Sequence, residues 1–450
     1  MVQDISSIND TEKVALRKVI FQFKQILPIV FTLSLFWVAC AEIYKNNLGS
    51  TEYVLNNQMP VGGDFIAFYV AGKILQKDTS KLYDVSHQLS LQKALLGSEL
   101  AKKHQLPFIY PPLVAYLFAP LSYVSFKSAY YLWTGVSFIL VLASILLISK
   151  TLEQSPMCFI RNVTLALGFF PLTMFTFAGG QLSSIGLLIF SIVFFLLKHQ
   201  KDFLAGVVFS LSYYKPPLFL LFLIYQLIKR QRRFVIGFFC GGILIIFITI
   251  LMVGYANFFD YIILARGYSY GSEFAGLIRM TPEKGVGLYS LLFRIQGVNN
   301  MLIGNMSYLL CMALSILVLL RLQPSTITYP HLVKSREDML FYGLLVSYSL
   351  FLSLQLITYD LTILILPILV VIDSIAQPNM RKSIKFIGSV SIIILYISWY
   401  FCAQPKNDWS FIPMAMGLVI WLVAYSFLIA MMARNKNHGK HDPVEVLEQV

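Results

Sequence analysis

Long apolar stretches, separated by short polar and basic segments, make up most of this sequence. A helix needs about 20 predominantly apolar residues to cross a bilayer. Stretches of roughly that length lie at 26–44, 128–149, 161–178, 183–197, 234–254, 301–320, 339–354, 361–376, 384–401 and 412–433. The pattern therefore predicts an all-α, polytopic membrane protein.

The apolar block 203–228 fits either one long span or two short helices folded back at Lys215-Pro216-Pro217. Proline removes a backbone hydrogen bond and disfavours helix at the preceding residue, which favours the folded-back hairpin. With the hairpin, all basic clusters fall on the cytoplasmic side, as the positive-inside rule requires. These clusters are Lys198/Lys201, Lys229 to Arg233, Lys334/Arg336, Arg381 to Lys385 and Arg434/Lys436. We expect about twelve membrane helices.

The same topology sets the domain organisation. One transmembrane domain spans residues 25–433, between cytoplasmic tails at 1–24 and 434–450, with external segments at about 45–127 and 255–300. The first apolar stretch follows a long leader that contains acidic residues. It is therefore expected to remain as an uncleaved span rather than to act as a signal peptide.

Composition narrows the class of protein. Hydrophobic residues make up 57% of the 450 residues and charged residues only 13%, and the mean hydropathy is +0.71, which excludes a soluble globule. The net charge of +13 is explained by cytoplasmic loops, so we expect no nucleic-acid partner. The five cysteines are scattered and indicate neither a disulfide framework nor a zinc site.

Residues 62–133 differ from the rest of the chain, because they are too apolar for a solvated loop and too charged to cross a bilayer. The segment predicts short interfacial helices in the first external loop. It opens with Gly62-Gly63-Asp64, and glycines allow a sharp turn or a close approach to a ligand. Asp64 fits either a helix N-cap or a carboxylate that faces a cavity, and the two are compatible.

Three further positions are candidates for chemistry. Lys215 would lie at membrane depth, where a cation either binds an anionic group or extends to the headgroups. Tyr359-Asp360 lies in a short turn between spans and fits either a helix cap or a group lining the cavity of Asp64. Gln181 ends a tight Gly179-Gly180 turn on the same external side.

Other candidates remain open. Arg266, Arg279, Lys284 and Arg294 in the second external segment fit either an anionic substrate or solvated positions. No phosphate-binding loop and no dinucleotide-binding glycine motif occurs. We expect no metal and no cofactor. An outward-facing enzyme would need an activated donor that is already attached to lipid.

The sequence resembles family 87 of the glycosyltransferases, which are polytopic enzymes of the C-type fold. The resemblance rests on GGDFIAFYVAGKIL, on Leu82-Tyr83-Asp84 and on FIYPPLVAYLFAPLSYVSFKSAYYLW. GGQLSSIGLLIF, AGVVFSLSYYKPPLFLLFLIY and YDLTILILP follow in the family's order, so that the likeness covers about residues 25–375.

The resemblance implies transfer of a sugar, a mannose-like hexose or a pentose, from a polyprenyl-phosphate donor to a lipid or glycan acceptor. It places the reaction at the outer face of a bacterial plasma membrane, among membrane lipids, with Asp64 as the catalytic base of an inverting displacement. Six residues are predicted to bind substrate: Lys215, Asp360, Tyr359, Tyr110, Gln181 and Arg279. The alternatives are a transporter or flippase of lipid or lipid-linked sugar, and a purely structural membrane subunit.

Overall fold

A computed structural model describes residues 31–41, 60–96, 106–218, 220–270, 285–296, 301–324, 333, 335–377, 380–400 and 412–438. Within these ranges the protein is helical, as predicted. The first helix, α1, spans Phe31–Ala41. The others are α2 (Phe65–Lys77), α3 (Val85–Leu96), α4 (Pro112–Phe118), α5 (Phe126–Thr151), α6 (Pro156–Leu167), α7 (Ser183–Lys198), α8 (Asp202–Ser210), α9 (Leu220–Ile228), α10 (Arg232–Tyr270), α11 (Leu288–Gln296), α12 (Met301–Leu322), α13 (Arg336–Phe351), α14 (Ile365–Ile375), α15 (Lys382–Tyr400) and α16 (Ile412–His438).

Six helical segments among the described residues are long and apolar enough to cross a membrane, or seven if one bent pair counts as a span. The six are Phe126–Thr151, Arg232–Arg266, Ile303–Leu322, Thr358–Ile375, Lys382–Trp399 and Ile412–Ala433. The bent pair joins Cys158–Leu167 to Pro171–Phe177 at 64°. This is fewer than the twelve helices expected from the apolar pattern, because several apolar stretches form helices that are short or broken.

The block 203–228 is one of the broken stretches. Helices α8 and α9 have nine residues each, or about 14 Å at 1.5 Å per residue, too short to cross a 30 Å core alone. Between them the chain makes 3₁₀ turns at Leu211–Tyr214 and Pro216–Leu218, and the backbone of Lys215 between the turns is not helical. The break lies where the two prolines predicted it.

Two hydrophobic clusters organise the interior. The larger is formed by the helical bundle from α5 onward. The smaller joins α2, α3 and α4 to the start of α5 and to the late part of α10. The short helices expected in the first external segment are present, but α2 is buried over most of its surface. Its Phe65 ring packs on Phe118, Phe126 and Tyr130, so α2 is an interior element rather than a helix lying on the surface.

Helix α10 changes direction at Gly254, whose φ of 80° and ψ of 160° are not helical. The hydroxyl of Tyr116 in α4 donates a hydrogen bond to the Met252 carbonyl just before this bend (2.8 Å). Beyond the bend, Tyr261 and Leu264 pack into the smaller cluster. The break thus brings the end of α10 against the segment that begins at Asp64.

Small residues allow α8 and α10 to pack with their backbones close together. A Cβ added at Gly206 of α8 would collide with the backbone of Phe234 in α10, and one added at Gly237 would collide with the Phe203 carbonyl. By contrast, Gly242 of α10 has open space around the position of its missing Cβ. The close approach therefore depends on glycine at Gly206 and Gly237.

We predict that Gly206→Ala lowers the free energy of unfolding by about 1–3 kcal/mol, because the added methyl group overpacks the interface. Alanine is intrinsically the better helix former, so the matched variant Gly242→Ala should leave stability unchanged or raise it slightly. Thermal unfolding of the detergent-solubilised proteins measures both effects. Equal or higher stability of Gly206→Ala than of Gly242→Ala would contradict the close approach of α8 and α10.

Candidate active site

Two interlocking Gly-Gly turns form the base of the candidate site. Gly62 and Gly63 have φ values of 77° and 54°, and Gly180 has a φ of 60°, all in the left-handed region that favours glycine. A Cβ on Gly180 would lie 2.5 Å from the Phe65 Cβ, and a Cβ on Gly63 would lie 3.2 Å from Gly179. The turns therefore fit together only as glycines, and each is followed directly by a polar candidate residue.

The polar residues that follow the turns are Asp64 and Gln181, and they are hydrogen-bonded to each other. Gln181 Nε2 donates to Asp64 Oδ2 at 2.5 Å. Asp64 occupies the N-cap position of α2, yet its side chain makes no capping hydrogen bond. The carboxylate therefore binds Gln181 and does not cap the helix. Its role in chemistry stays a prediction.

Asp64 is partly buried. Burial raises the pKa of its carboxyl group above the ordinary value, while the hydrogen bond from Gln181 and the charge of Lys215 lower it by less. A raised pKa makes the carboxylate a stronger proton acceptor.

Lys215 and Asp360 form a buried ion pair. Lys215 Nζ lies 2.5 Å from Asp360 Oδ2, and the two residues are 8% and 1% exposed. Asp360 Oδ2 also accepts a hydrogen bond from the Ile357 backbone nitrogen (3.1 Å), as an N-terminal acid in its helical turn does. Asp360 thus caps its own helical turn and neutralises Lys215, while its contact with a substrate stays a prediction. Lys215 is held inside the protein and does not extend to the surface.

Two tyrosines complete the surroundings of the ion pair. The Lys215 ammonium lies over the Tyr359 ring, 4.4 Å from its centroid, and the Tyr359 and Tyr110 side chains are hydrogen-bonded. Tyr110 itself is fixed through its carbonyl oxygen, which accepts a hydrogen bond from the Tyr83 hydroxyl (2.8 Å). The FIYPP segment is therefore tied to the turn that carries Asp360.

These side chains border a cavity of about 270 Å³. Its wall is formed by Ile109, Tyr110, Tyr214, Lys215, Pro216, Pro217, Tyr261, Ala265, Arg266, Leu354, Gln355, Ile357 and Tyr359. Asp64 is not part of this wall. Its charge nevertheless acts on two residues of the wall, Lys215 and Tyr359. The base candidate is thus a neighbour of a cavity that combines tyrosine rings with two cations.

Six of the seven site residues predicted from the sequence come together here: Asp64, Gln181, Lys215, Tyr359, Asp360 and Tyr110. The seventh, Arg279, lies outside the described residues. The sequence prediction missed Tyr214 and Tyr261, and Arg266 was only one of several open candidates. Tyr214 precedes Lys215 directly, so its neighbour was a signal for it. No local signal pointed to Tyr261. Among the described residues, no three His, Cys, Asp or Glu side chains group as metal ligands.

We predict that the ion pair stabilises the fold only as a pair. Lys215→Met or Asp360→Asn alone should lower the free energy of unfolding by about 3–5 kcal/mol, because each leaves a buried polar group without its partner. The double variant should recover part of this loss, since no uncompensated charge remains. Thermal unfolding of the four proteins in detergent measures the non-additivity.

A matched control is Arg336→Met, which removes a more exposed partner of Asp373 and leaves Asp373 its hydrogen bond from Gln154 (2.8 Å). Its effect should be clearly smaller. Additive losses at Lys215 and Asp360 would show that the two charges do not depend on each other.

Comparisons with known proteins agree with the resemblance noted in the sequence. No curated protein and no solved structure matches the chain significantly. The family model described as Glycosyltransferase family 87 matches residues 108–347, which include Tyr110, Gln181, Lys215 and Arg266. The match covers just over half of the 450 residues. The chain therefore belongs to glycosyltransferase family 87 and is a multi-pass membrane glycosyltransferase.

Proposed function

We propose that this enzyme transfers a sugar from a polyprenyl-phosphate donor to a lipid or glycan acceptor in an inverting displacement. Asp64 removes the proton of the attacking hydroxyl group, and the polyprenyl phosphate leaves from the anomeric carbon on the opposite side. The observation that carries the proposal is a carboxylate that leaves its helix end uncapped and joins the polar cluster of Gln181, Lys215 and Tyr359.

The state of Asp64 supports the role of base. A general base accepts a proton best when its pKa approaches the working pH, and burial raises the pKa of this carboxyl group in that direction. The hydrogen bond from Gln181 fixes Oδ2. Oδ1 is the oxygen left to face a hydroxyl group, so one carboxylate oxygen orients the side chain and the other takes the proton.

The cavity beside Asp64 supports the role of donor site. A departing phosphate gains negative charge, which nearby cations stabilise. Lys215 and Arg266 both line the cavity, but the charge of Lys215 is already matched by Asp360. Arg266 is exposed and has no ion-pair partner among the described residues. We assign it the main contact with the donor phosphate, since a guanidinium binds two phosphate oxygens at once.

The tyrosines of the cavity suit a sugar. Tyr110, Tyr214, Tyr261 and Tyr359 line a space of about 270 Å³, and an aromatic side chain of this kind offers an apolar face with a polar tip. The site is proposed to face the outer side of a bacterial plasma membrane, because the basic loops lie at the opposite ends of the helices. In this topology α1, α7 and α13 account for three further predicted passes, and α8 and α9 are the two arms of the hairpin predicted at 203–228.

Asp64→Asn tests the base. We expect the purified variant, in detergent or lipid, to lose at least about 100-fold of the transfer rate, the scale of general-base catalysis. The assay offers radiolabelled polyprenyl-phosphate sugars and a membrane lipid extract. The matched control is Asp78→Asn, at the other end of α2. The Asp78 carboxylate is exposed and caps the 3₁₀ turn Thr79–Lys81 by accepting a hydrogen bond from the Ser80 backbone nitrogen. Full activity of Asp64→Asn would exclude Asp64 as the base.

Arg266→Gln tests the phosphate contact. We expect the KM for the polyprenyl-phosphate donor to rise about 10-fold or more, since a charge-assisted hydrogen bond contributes about 1.5–3 kcal/mol. The KM for the acceptor should stay the same. The control is Arg321→Gln, an exposed arginine at the end of α12 that is not part of this cavity. An unchanged donor KM would move the phosphate contact to another cation.

A further inference from the structure

Only one of the two polar atoms of the Gln181 side-chain amide is hydrogen-bonded within the described residues. Gln181 is 4% exposed, and its Nε2 donates to Asp64 Oδ2. Its carbonyl oxygen Oε1 is buried and has no hydrogen-bond partner among the described residues. A buried acceptor without a donor costs about 1–3 kcal/mol. A group that brings a donor to this oxygen would recover that loss.

The amide of Gln181 is held rigidly in its place. Its backbone nitrogen donates to the Thr176 carbonyl (3.0 Å), and the Trp133 indole donates to the Gly180 carbonyl (3.1 Å). Gly180 also packs directly on α2, where an added Cβ would lie 2.5 Å from the Phe65 Cβ. Because Nε2 must face the carboxylate, Oε1 cannot be exchanged with it, and the amide presents an acceptor atom beside the base.

Resting on the proposed function, we infer that Gln181 Oε1 accepts a hydrogen bond from a second hydroxyl group of the acceptor, adjacent to the one that Asp64 deprotonates. The hydrogen-bonded pair of side chains then has two acceptor atoms left, Oδ1 of Asp64 and Oε1 of Gln181. Two neighbouring hydroxyl groups on one acceptor would bring a donor to each of them. Gln181 would therefore determine which hydroxyl group of the acceptor attacks.

This geometry distinguishes between classes of acceptor. A hydroxyl group without a hydroxylated neighbour would leave Oε1 buried and unpaired when the acceptor excludes water. A site that is built to hydrogen-bond a substrate hydroxyl discriminates strongly against an analogue that lacks it. The enzyme is therefore expected to select an acceptor with adjacent hydroxyl groups and to form its bond at one of them.

The first test uses the unmodified enzyme. Radiolabelled polyprenyl-phosphate sugars and a total membrane lipid extract yield a labelled product, whose attachment point is found by linkage analysis. We expect the new bond on a carbon whose neighbour carries a free hydroxyl group. Attachment at an isolated hydroxyl group would overturn the inference and leave the proposed transfer reaction intact. The absence of any transfer would overturn the proposed function, and this inference with it.

The second test uses Gln181→Met, which keeps the size of the side chain and removes its hydrogen bonds. The acceptor KM should rise about 10-fold, the equivalent of about 1.4 kcal/mol, while the donor KM stays the same. The deoxy analogue of the acceptor lacks the neighbouring hydroxyl group. The parent enzyme should bind this analogue less well than the full acceptor, whereas the variant should bind the two equally well. The matched control is Gln226→Met, since Gln226 is also fully buried and its amide has no partner among the described residues.

The pH profile separates this role from simple tuning of the base. The hydrogen bond from Gln181 lowers the pKa of Asp64, so its loss raises that pKa. Activity falls as the pH drops through the pKa of the base, and the acid limb of Gln181→Met should therefore lie at higher pH. The KM values of the two enzymes are compared at a pH above the acid limbs of both profiles, where the activity of each no longer changes with pH. A shifted limb with an unchanged acceptor KM would show that Gln181 only orients the base, and it would overturn the inference.

Discussion

A lysine ammonium cannot remain unpaired inside an apolar helical bundle, and this constraint shapes the site. An isolated charge in a medium of low polarity is so costly that it must be paired or neutralised. Lys215 lies in the break between α8 and α9, and Asp360 lies in the 3₁₀ turn that precedes α14. Their ion pair holds together two interruptions that are 145 residues apart in the chain, and it fixes Lys215 in the wall of the cavity.

A second constraint is steric and acts on the turns that carry Asp64 and Gln181. The turns at Gly62-Gly63 and Gly179-Gly180 approach so closely that a Cβ would displace them. Thr176 then joins this region to the 3₁₀ segment of Asp360, through a hydrogen bond between its hydroxyl group and that of Thr362 (2.7 Å). Hence the positions of Asp64, Gln181 and Asp360 depend on one another, although each residue lies on a different segment of the chain.

The sequence predicted the features that have a local cause. The prolines after Lys215 predicted a break in the helix, and the glycines before Asp64 and Gln181 predicted sharp turns. It could not predict which apolar helix packs on which, because apolar faces are chemically alike and the partners are far apart in the chain. The pairing of Gln181 with Asp64, 117 residues away, is of this kind. So is the approach of Tyr261 and Arg266 to the cavity, which depends on the bend of α10 at Gly254.

The number of long spans is smaller than expected for a related reason. Hydropathy records how apolar a stretch is and does not record where its helix ends, so the bent stretch 161–178 resembles one straight crossing. The residues that interrupt these helices are also those of the site: Lys215 follows a 3₁₀ turn, Gln181 follows the π-helical turn Pro171–Phe177, and Asp360 lies within a 3₁₀ segment. Non-helical backbone at membrane depth is tolerated only where protein or a cavity satisfies its polar groups. A cavity with polar walls is therefore most easily formed where helices break, and a break flanked by a charged residue is the best local signal of the site that a sequence of this class offers.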